Sequence, residues 1–178
     1  FKNIILNGSV EDNGTAIGAA LAASNVLIGK RTTEEITDYY GQKYENDEIL
    51  AAIKKFNFAY EFIEGDQFYE KIASLIFDNK VIGWFQGRSE FGPRALGNRS
   101  ILANPNNPKM KHILDLHFKY RDRYRPYAPV VLEEYTKKYF DLDVSSPVMM
   151  TGGKVLCKDF PAITHVDGSA RIQTLGKK

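Results

Sequence analysis

Residues 87–100 read Gly-Arg-Ser-Glu-Phe-Gly-Pro-Arg-Ala-Leu-Gly-Asn-Arg-Ser and follow directly on an apolar stretch that ends Trp84-Phe85. Residues 81–85 have the length and composition of a buried strand. The three glycines that follow let the backbone adopt positive φ and approach a ligand closely. Arg88, Arg94 and Arg99 supply planar guanidinium forks that match phosphate or carboxylate oxygens. A strand running into a glycine- and arginine-rich loop is a common setting for an anion site. The loop is not a Walker loop, because no Gly-Lys-Ser/Thr ending is present.

Around this loop, periodicity alternates between helix and strand. A short strand is expected over residues 2–6, and a helix of small side chains over 16–24. Residues 29–41 have loop character, and a domain boundary is placed there. Asn46-Asp47 offers an N-cap to a helix with Ile49, Leu50, Ile53 and Phe56 at helical spacing. Residues 58–63 suit a strand. Gly65-Asp66 opens a helix with Phe68, Ile72, Leu75 and Ile76 on one face. Strands are expected over 100–103, 128–132, 147–156 and 170–175. Helices are expected after Pro108, with Met110, Ile113, Leu114 and His117, and over 133–140. The fold class is α/β (α+β), with a twisted mixed sheet and flanking helices.

Hydrophobic residues make up 43% of the 178, enough for a packed core. The net charge of +2 says little, but its distribution says more. Nine cations lie between Arg88 and Arg125, opposed only by Glu90, Asp115 and Asp122. Such a patch attracts phosphate, carboxylate or nucleic acid. Cys157 is the only cysteine, which excludes an intrachain disulfide and a thiolate metal cluster. The spacing of His112, His117 and His165 gives no metal site. No apolar run approaches the ~18 residues that span a bilayer. No membrane contact and a cytoplasmic location are expected.

Two further segments could carry chemistry. Residues 119–129 read Lys-Tyr-Arg-Asp-Arg-Tyr-Arg-Pro-Tyr-Ala-Pro, with Pro126 and Pro129 stiffening the exit. If extended, Lys119, Arg121, Arg123 and Arg125 share one face. Residues 164–171 read Thr-His-Val-Asp-Gly-Ser-Ala-Arg. Their Ser, His and Asp are too close in sequence for a hydrolytic relay, and no nucleophile elbow is present. Ser169 instead suits a hydrogen bond to an anion, together with nearby backbone N–H groups.

These three blocks, in this order, resemble the NodU/CmcH-like O-carbamoyltransferases. The resemblance implies a YrdC-like fold for residues 30–178, incomplete at its C-terminal end. It implies that residues 1–29 are the tail of an upstream actin/hexokinase-like ATP-binding domain. The chain is thus expected to be part of a longer polypeptide, whose N-terminal carbamoyl-transfer domain is its partner. Lys119-Tyr120-Arg121 is similar to the Lys-x-Arg element of YrdC-like proteins. Arg125-Pro126 stands where they carry Lys-Pro, and Ser169-Ala170-Arg171 where they carry Ser-x-Asn.

As the resemblance implies, the activity is that of an ATP-dependent O-carbamoyltransferase. Carbamoyl-adenylate is made from carbamoyl phosphate and ATP, with Mg²⁺ on the triphosphate, for transfer to a hydroxyl. The expected catalytic groups are Lys119, Arg121 and Ser169. Arg88, Arg94, Arg99, Ser100 and Arg125 are expected to bind phosphate. Arg171 stands between phosphate clamp and structural brace. Two other readings use the same residues: an RNA-binding surface, which is not the expected partner class, and a scaffold whose arginine loops dock two domains.

Overall fold

The computed structural model describes residues 11–31 and 37–176. The strand expected over residues 2–6 lies outside them. The α/β class and the mixture of parallel and antiparallel pairing are as the sequence reads. Strand pairing is distributed over three small sheets.

Helix α1 (Asp12–Ala23) starts four residues before the expected small-residue segment and runs on through a wide turn, Ser24–Ile28. Gly29 stops it in the left-handed conformation at φ 68°. Helix α2 (Asn46–Lys55) is capped by Glu45, one residue before the expected cap. The reason is Glu48, whose carboxylate accepts the Glu45 backbone N–H at 2.9 Å. Ile49, Leu50 and Ile53 are half-buried as their spacing requires, whereas Phe56 is exposed. Residues 58–63 form no strand, and among the described residues none pairs with them. Helix α3 (Asp66–Phe77) half-buries Phe68, Ile72, Leu75 and Ile76, and Phe68 meets Trp84 at 5.8 Å between ring centroids.

Strands β1 (Ile82–Phe85) and β2 (Arg99–Leu102) pair antiparallel, from Ile82 opposite Leu102 to Phe85 opposite Arg99. The glycine- and arginine-rich loop is therefore the long connection of a hairpin. Residues 37–42 run beside it. Gly41 N–H donates to Ser89 O at 3.0 Å, and Ser89 N–H donates to Gln42 O at 3.3 Å. A Cβ on Gly41 would lie 1.8 Å from Ser89 Oγ, so only glycine fits. Gly92, at φ 135°, meets Asn13 of α1 and is constrained twice, by conformation and by space.

Helix α4 (Met110–Leu114) passes into another wide turn, Asp115–Lys119, which ends at Tyr120 with φ 47°. Strand β3 (Val130–Leu132) leads to a 3₁₀ turn (Glu133–Tyr135), to α5 (Thr136–Tyr139) and to β4 (Phe140–Asp141). The strand expected over 147–156 is confined to β5 (Gly152–Val155), because the chain before it turns through Met149 at φ 57°. The strand expected over 170–175 divides at Ile172 into β6 (Ser169–Arg171) and β7 (Gln173–Leu175). Strand β6 pairs antiparallel with β5, and β7 pairs parallel with β3. Ile172, fully buried, donates its N–H to Thr151 O at 3.2 Å where the chain changes sheets.

Two apolar clusters hold these parts together. One is Phe140, Leu142, Ile163, Ala170 and Ile172; the other is Met110, Leu114 and Ala162. Tyr127 packs against both. Phe140 is 2% exposed, and truncating such a ring to Ala costs about 3–5 kcal/mol. The framework that carries residues 94–102, 119–130 and 171–175 is thus fixed from beneath.

Candidate functional site

The hairpin loop, the segment after α4, and strands β6 and β7 enclose a cavity of about 280 Å³. Arg94 and Ser100 reach it from the hairpin, Lys119, Arg121 and Arg125 from the segment after α4, and Arg171 from β6. Leu96, Ile101, Leu102, Tyr127 and Val130 give it an apolar side. Among the described residues five cations line it, and no carboxylate, histidine or cysteine does.

The electrostatics follow from that lining. Only Arg94 and Arg121 of the five are ion-paired among the described residues. Burial first, and then the charge of Arg94, weaken the hold of Arg171 on its proton. Arg121 and Arg125 act in the same direction, while Glu11 opposes them. Arg94 touches Glu11 at 3.7 Å and Met150 Sδ at 3.3 Å, and its buried Nε has no partner among the described residues. A bound anion would relieve the mutual repulsion.

Other candidate residues lie apart from the cavity lining. Arg88 donates from Nη1 to Gly41 O at 3.1 Å. Arg99 lies over Phe85, 3.5 Å from the ring centroid. Its Nη1 donates to Gln86 O at 2.6 Å and Asn98 O at 2.9 Å, and its Nη2 to Gln42 O and Gly87 O, both at 3.2 Å. Both arginines brace the hairpin against residues 41–42. Ser169 Oγ donates to Asp167 Oδ1 at 2.7 Å and lies 3.3 Å from His165 Nδ1. Ser, His and Asp do meet, but the carboxylate holds the serine and not the imidazole, so the arrangement is not a nucleophilic relay.

Four backbone amides of the two motifs are already engaged by internal carboxylates. Glu90 Oε1 accepts the N–H of Leu96 at 2.7 Å, of Asn98 at 2.8 Å and of Arg99 at 3.2 Å. Burial raises the Glu90 carboxyl, but these bonds outweigh it and hold the group below its ordinary value. Asp167 accepts the Ser169 N–H at 3.0 Å in the same manner. These four amides are therefore taken up internally and not left to an external anion. Leu96 O is fixed from two sides, by Tyr39 OH at 3.1 Å and Gln173 Nε2 at 3.0 Å, which ties the loop to β7.

Three residues that the sequence does not single out hold the lining in place: Tyr127 within it, and Asp115 and Glu90 behind it. Asp115 Oδ1 accepts from Arg121 Nε at 3.0 Å and from Tyr127 OH at 2.9 Å. Asp115 Oδ2 accepts from Lys111 Nζ at 3.1 Å. The Arg121 guanidinium lies 4.2 Å from the centroid of the Tyr127 ring. In sequence, Asp115 is one acid in a helical stretch, and only its 1% exposure sets it apart. Among the described residues no group of three His, Cys, Asp or Glu side chains is placed to hold a metal ion, and no helix is long and apolar enough to cross a membrane.

Fold and cavity together define an α/β domain with a partly unneutralised cationic cavity. Residues 73–178 match the family model described as carbamoyltransferase C-terminus. The nodulation protein NolO of Bradyrhizobium diazoefficiens is 37% identical over 100% of this chain and 34% of its own length. NolNO of Sinorhizobium fredii is 38% identical over 99% of this chain and 27% of its own. Nodulation protein U of B. diazoefficiens is 33% identical over 99% of this chain and 30% of its own. The chain thus spans about a third of the length of these relatives. It belongs to the carbamoyltransferase C-terminus family.

Proposed function

We propose that this chain is the carbamoyl-activating domain of an ATP-dependent O-carbamoyltransferase, and that its cationic cavity takes carbamoyl phosphate and ATP. The observation that carries this reading is the convergence of Arg94, Lys119, Arg121, Arg125 and Arg171 on one cavity without an acid in its lining. Carbamoyl phosphate is a small dianion, and ATP brings a triphosphate. The cationic wall suits both, and the apolar side suits a planar base.

In this mechanism water attacks the phosphorus of carbamoyl phosphate, the P–O bond to the carbamoyl oxygen breaks, and carbamate leaves together with inorganic phosphate, which keeps the water's protons. A carbamate oxygen then attacks the α-phosphorus of ATP. Carbamoyl-adenylate forms and pyrophosphate leaves. Among the described residues the cavity lining contains no carboxylate or imidazole for proton transfer. Arg94, Arg121, Arg125 and Arg171 are assigned positioning of the two phosphates and stabilisation of charge at the α-phosphorus. Lys119 is assigned the carbamoyl phosphate oxygens. The Mg²⁺ expected from the resemblance finds no carboxylate in this lining, so the residues there do not form a site for it and no step is routed through it. The acceptor is a hydroxyl compound, met on the part of the polypeptide outside this chain.

Exchange of labelled pyrophosphate into ATP, dependent on carbamoyl phosphate and catalysed by the full-length polypeptide, tests the reading. Arg121→Ala or Arg171→Ala is expected to slow it by about 10²–10³, as loss of a preorganised charge-stabilising donor does. Exchange indifferent to carbamoyl phosphate, or to both substitutions, removes the proposal. A second reading, single-stranded nucleic-acid binding, draws on Tyr120 and Tyr124, 83% and 81% exposed beside Arg121, Arg123 and Arg125. RNA affinity that falls steeply with salt would favour it.

A further inference from the structure

Asp115 raises a question that stability does not answer. Its side chain is fully withdrawn from solvent, and it sits beside the buried Leu114 and near the buried Met110. Burying an ion pair seldom stabilises a fold more than a well-packed apolar residue would. The carboxylate therefore calls for a reason beyond packing, and its partners supply one.

Asp115 grips Arg121 twice. The side chain takes Arg121 Nε at 3.0 Å, and the Asp115 carbonyl takes the Arg121 backbone N–H at 3.3 Å. Between the two residues lies the wide turn Asp115–Lys119, and turns of this kind are frequent at functional sites. The double grip closes that turn and fixes where Lys119 leaves it. The side chain's contact with the guanidinium is made through Nε. An acid docked on both terminal nitrogens would fill the fork that a ligand needs; one docked on Nε leaves Nη1 and one N–H of Nη2 for an oxyanion, the other N–H of Nη2 going to Pro126 O at 3.4 Å. Tyr127 sets the plane. Its hydroxyl donates to the same Asp115 oxygen, and its ring lies against the guanidinium.

We infer that Asp115 is a positioning residue for the anion cavity: it fixes the plane of Arg121 and the exit of Lys119 in advance of ligand, with Tyr127 as strut. Preorganised donors meet an anion without first paying to reorient. The inference rests on the anion reading of the cavity.

Two measurements on this 178-residue chain test it. In a ¹⁵N spectrum of arginine side chains, the Arg121 Nε–H signal, assigned by its loss in Arg121→Ala, is expected to be protected from solvent exchange. Asp115→Asn, which keeps the shape and removes the charge, is expected to raise its exchange about tenfold or more. In titration calorimetry with inorganic pyrophosphate, Asp115→Asn is expected to weaken binding about tenfold, the lower end of effects seen when a residue supporting a ligand-contacting side chain is removed. In an Arg121→Ala background the same change is expected to cost less than about twofold, since residues acting through one another are not additive. If Asp115→Asn does not fold, Tyr127→Phe removes one bond to the carboxylate and keeps the ring, and a several-fold loss of binding with a shifted Arg121 signal is expected. Normal pyrophosphate affinity in a folded Asp115→Asn or Tyr127→Phe chain refutes the positioning role, as does an equal loss with and without Arg121. A wild-type chain that ignores pyrophosphate refutes the anion reading, and with it the purpose assigned to Asp115.

Discussion

Replacing Glu90 by Ala should loosen the glycine- and arginine-rich hairpin by an amount that its hydrogen bonds set. Glu90 Oε1 accepts N–H groups from Leu96, Asn98 and Arg99, two of them within 2.8 Å. A hydrogen bond to a charged group contributes about 1.5–3 kcal/mol, and water can partly replace these in a half-buried loop, so the net loss is about 2–3 kcal/mol. Glu90→Gln keeps an acceptor and loses the charge, so about 1 kcal/mol is expected. Guanidinium denaturation followed by tryptophan fluorescence is the assay; Trp84 lies one residue before the end of β1, and it is the only tryptophan. The pH dependence has a definite sign. A carboxyl held below its ordinary value contributes stability above that value and loses it as the pH falls through the folded one. The wild-type chain should therefore lose more stability than Glu90→Gln on the acid side of its ordinary value. A Glu90→Ala chain within about 0.5 kcal/mol of wild type, the range of an unremarkable surface substitution, would refute the reasoning.

Two other outcomes follow from the geometry. Arg99→Ala removes donors to four backbone carbonyls and a ring contact, so a loss of about 2–3 kcal/mol in stability is expected, with pyrophosphate affinity unchanged within about twofold; calorimetry beside denaturation separates the two effects. Tyr127 is pushed up to about 12, by burial and then by its bond to Asp115, so its phenol should be missing from the main tyrosine transition in an ultraviolet pH titration. Because its folded value lies above the ordinary 10.0, it contributes stability below pH 10 that is lost between there and about 12. Tyr127→Phe should remove that alkaline limb, and an unchanged limb would contradict the assignment.

The residues named above show where sequence reasoning reaches and where it stops. Local periodicity carried α2 and α3, down to Phe68, Ile72, Leu75 and Ile76 on one face. It also carried the hairpin strands on either side of the motif. Long-range pairing is set by contacts that no local window contains: β7 lies beside β3 in parallel, and the chain changes sheets at Ile172. The five residues Arg94, Lys119, Arg121, Arg125 and Arg171 were legible as a cationic set, and the structure brings them, with Ser100, to one cavity. Their equals in sequence, Arg88 and Arg99, turn to carbonyls of residues 41–42 and 86–87 instead. A guanidinium is long enough to serve either purpose, and only the neighbouring backbone decides. Glu90 and Asp115 were hidden for a different reason. Acids in a basic stretch read as charge balance until burial shows one inside the loop and the other beneath the cavity floor.

Guanidinium groups from separate parts of the chain are expected to close on one phosphate-bearing ligand. A crystal of this chain grown with carbamoyl phosphate and a non-hydrolysable ATP analogue tests it most directly. Oxyanion density within about 2.7–3.2 Å of Arg121 and Arg171 is the expected result. Ligand bound elsewhere, or an empty cavity at saturating concentration, would contradict it.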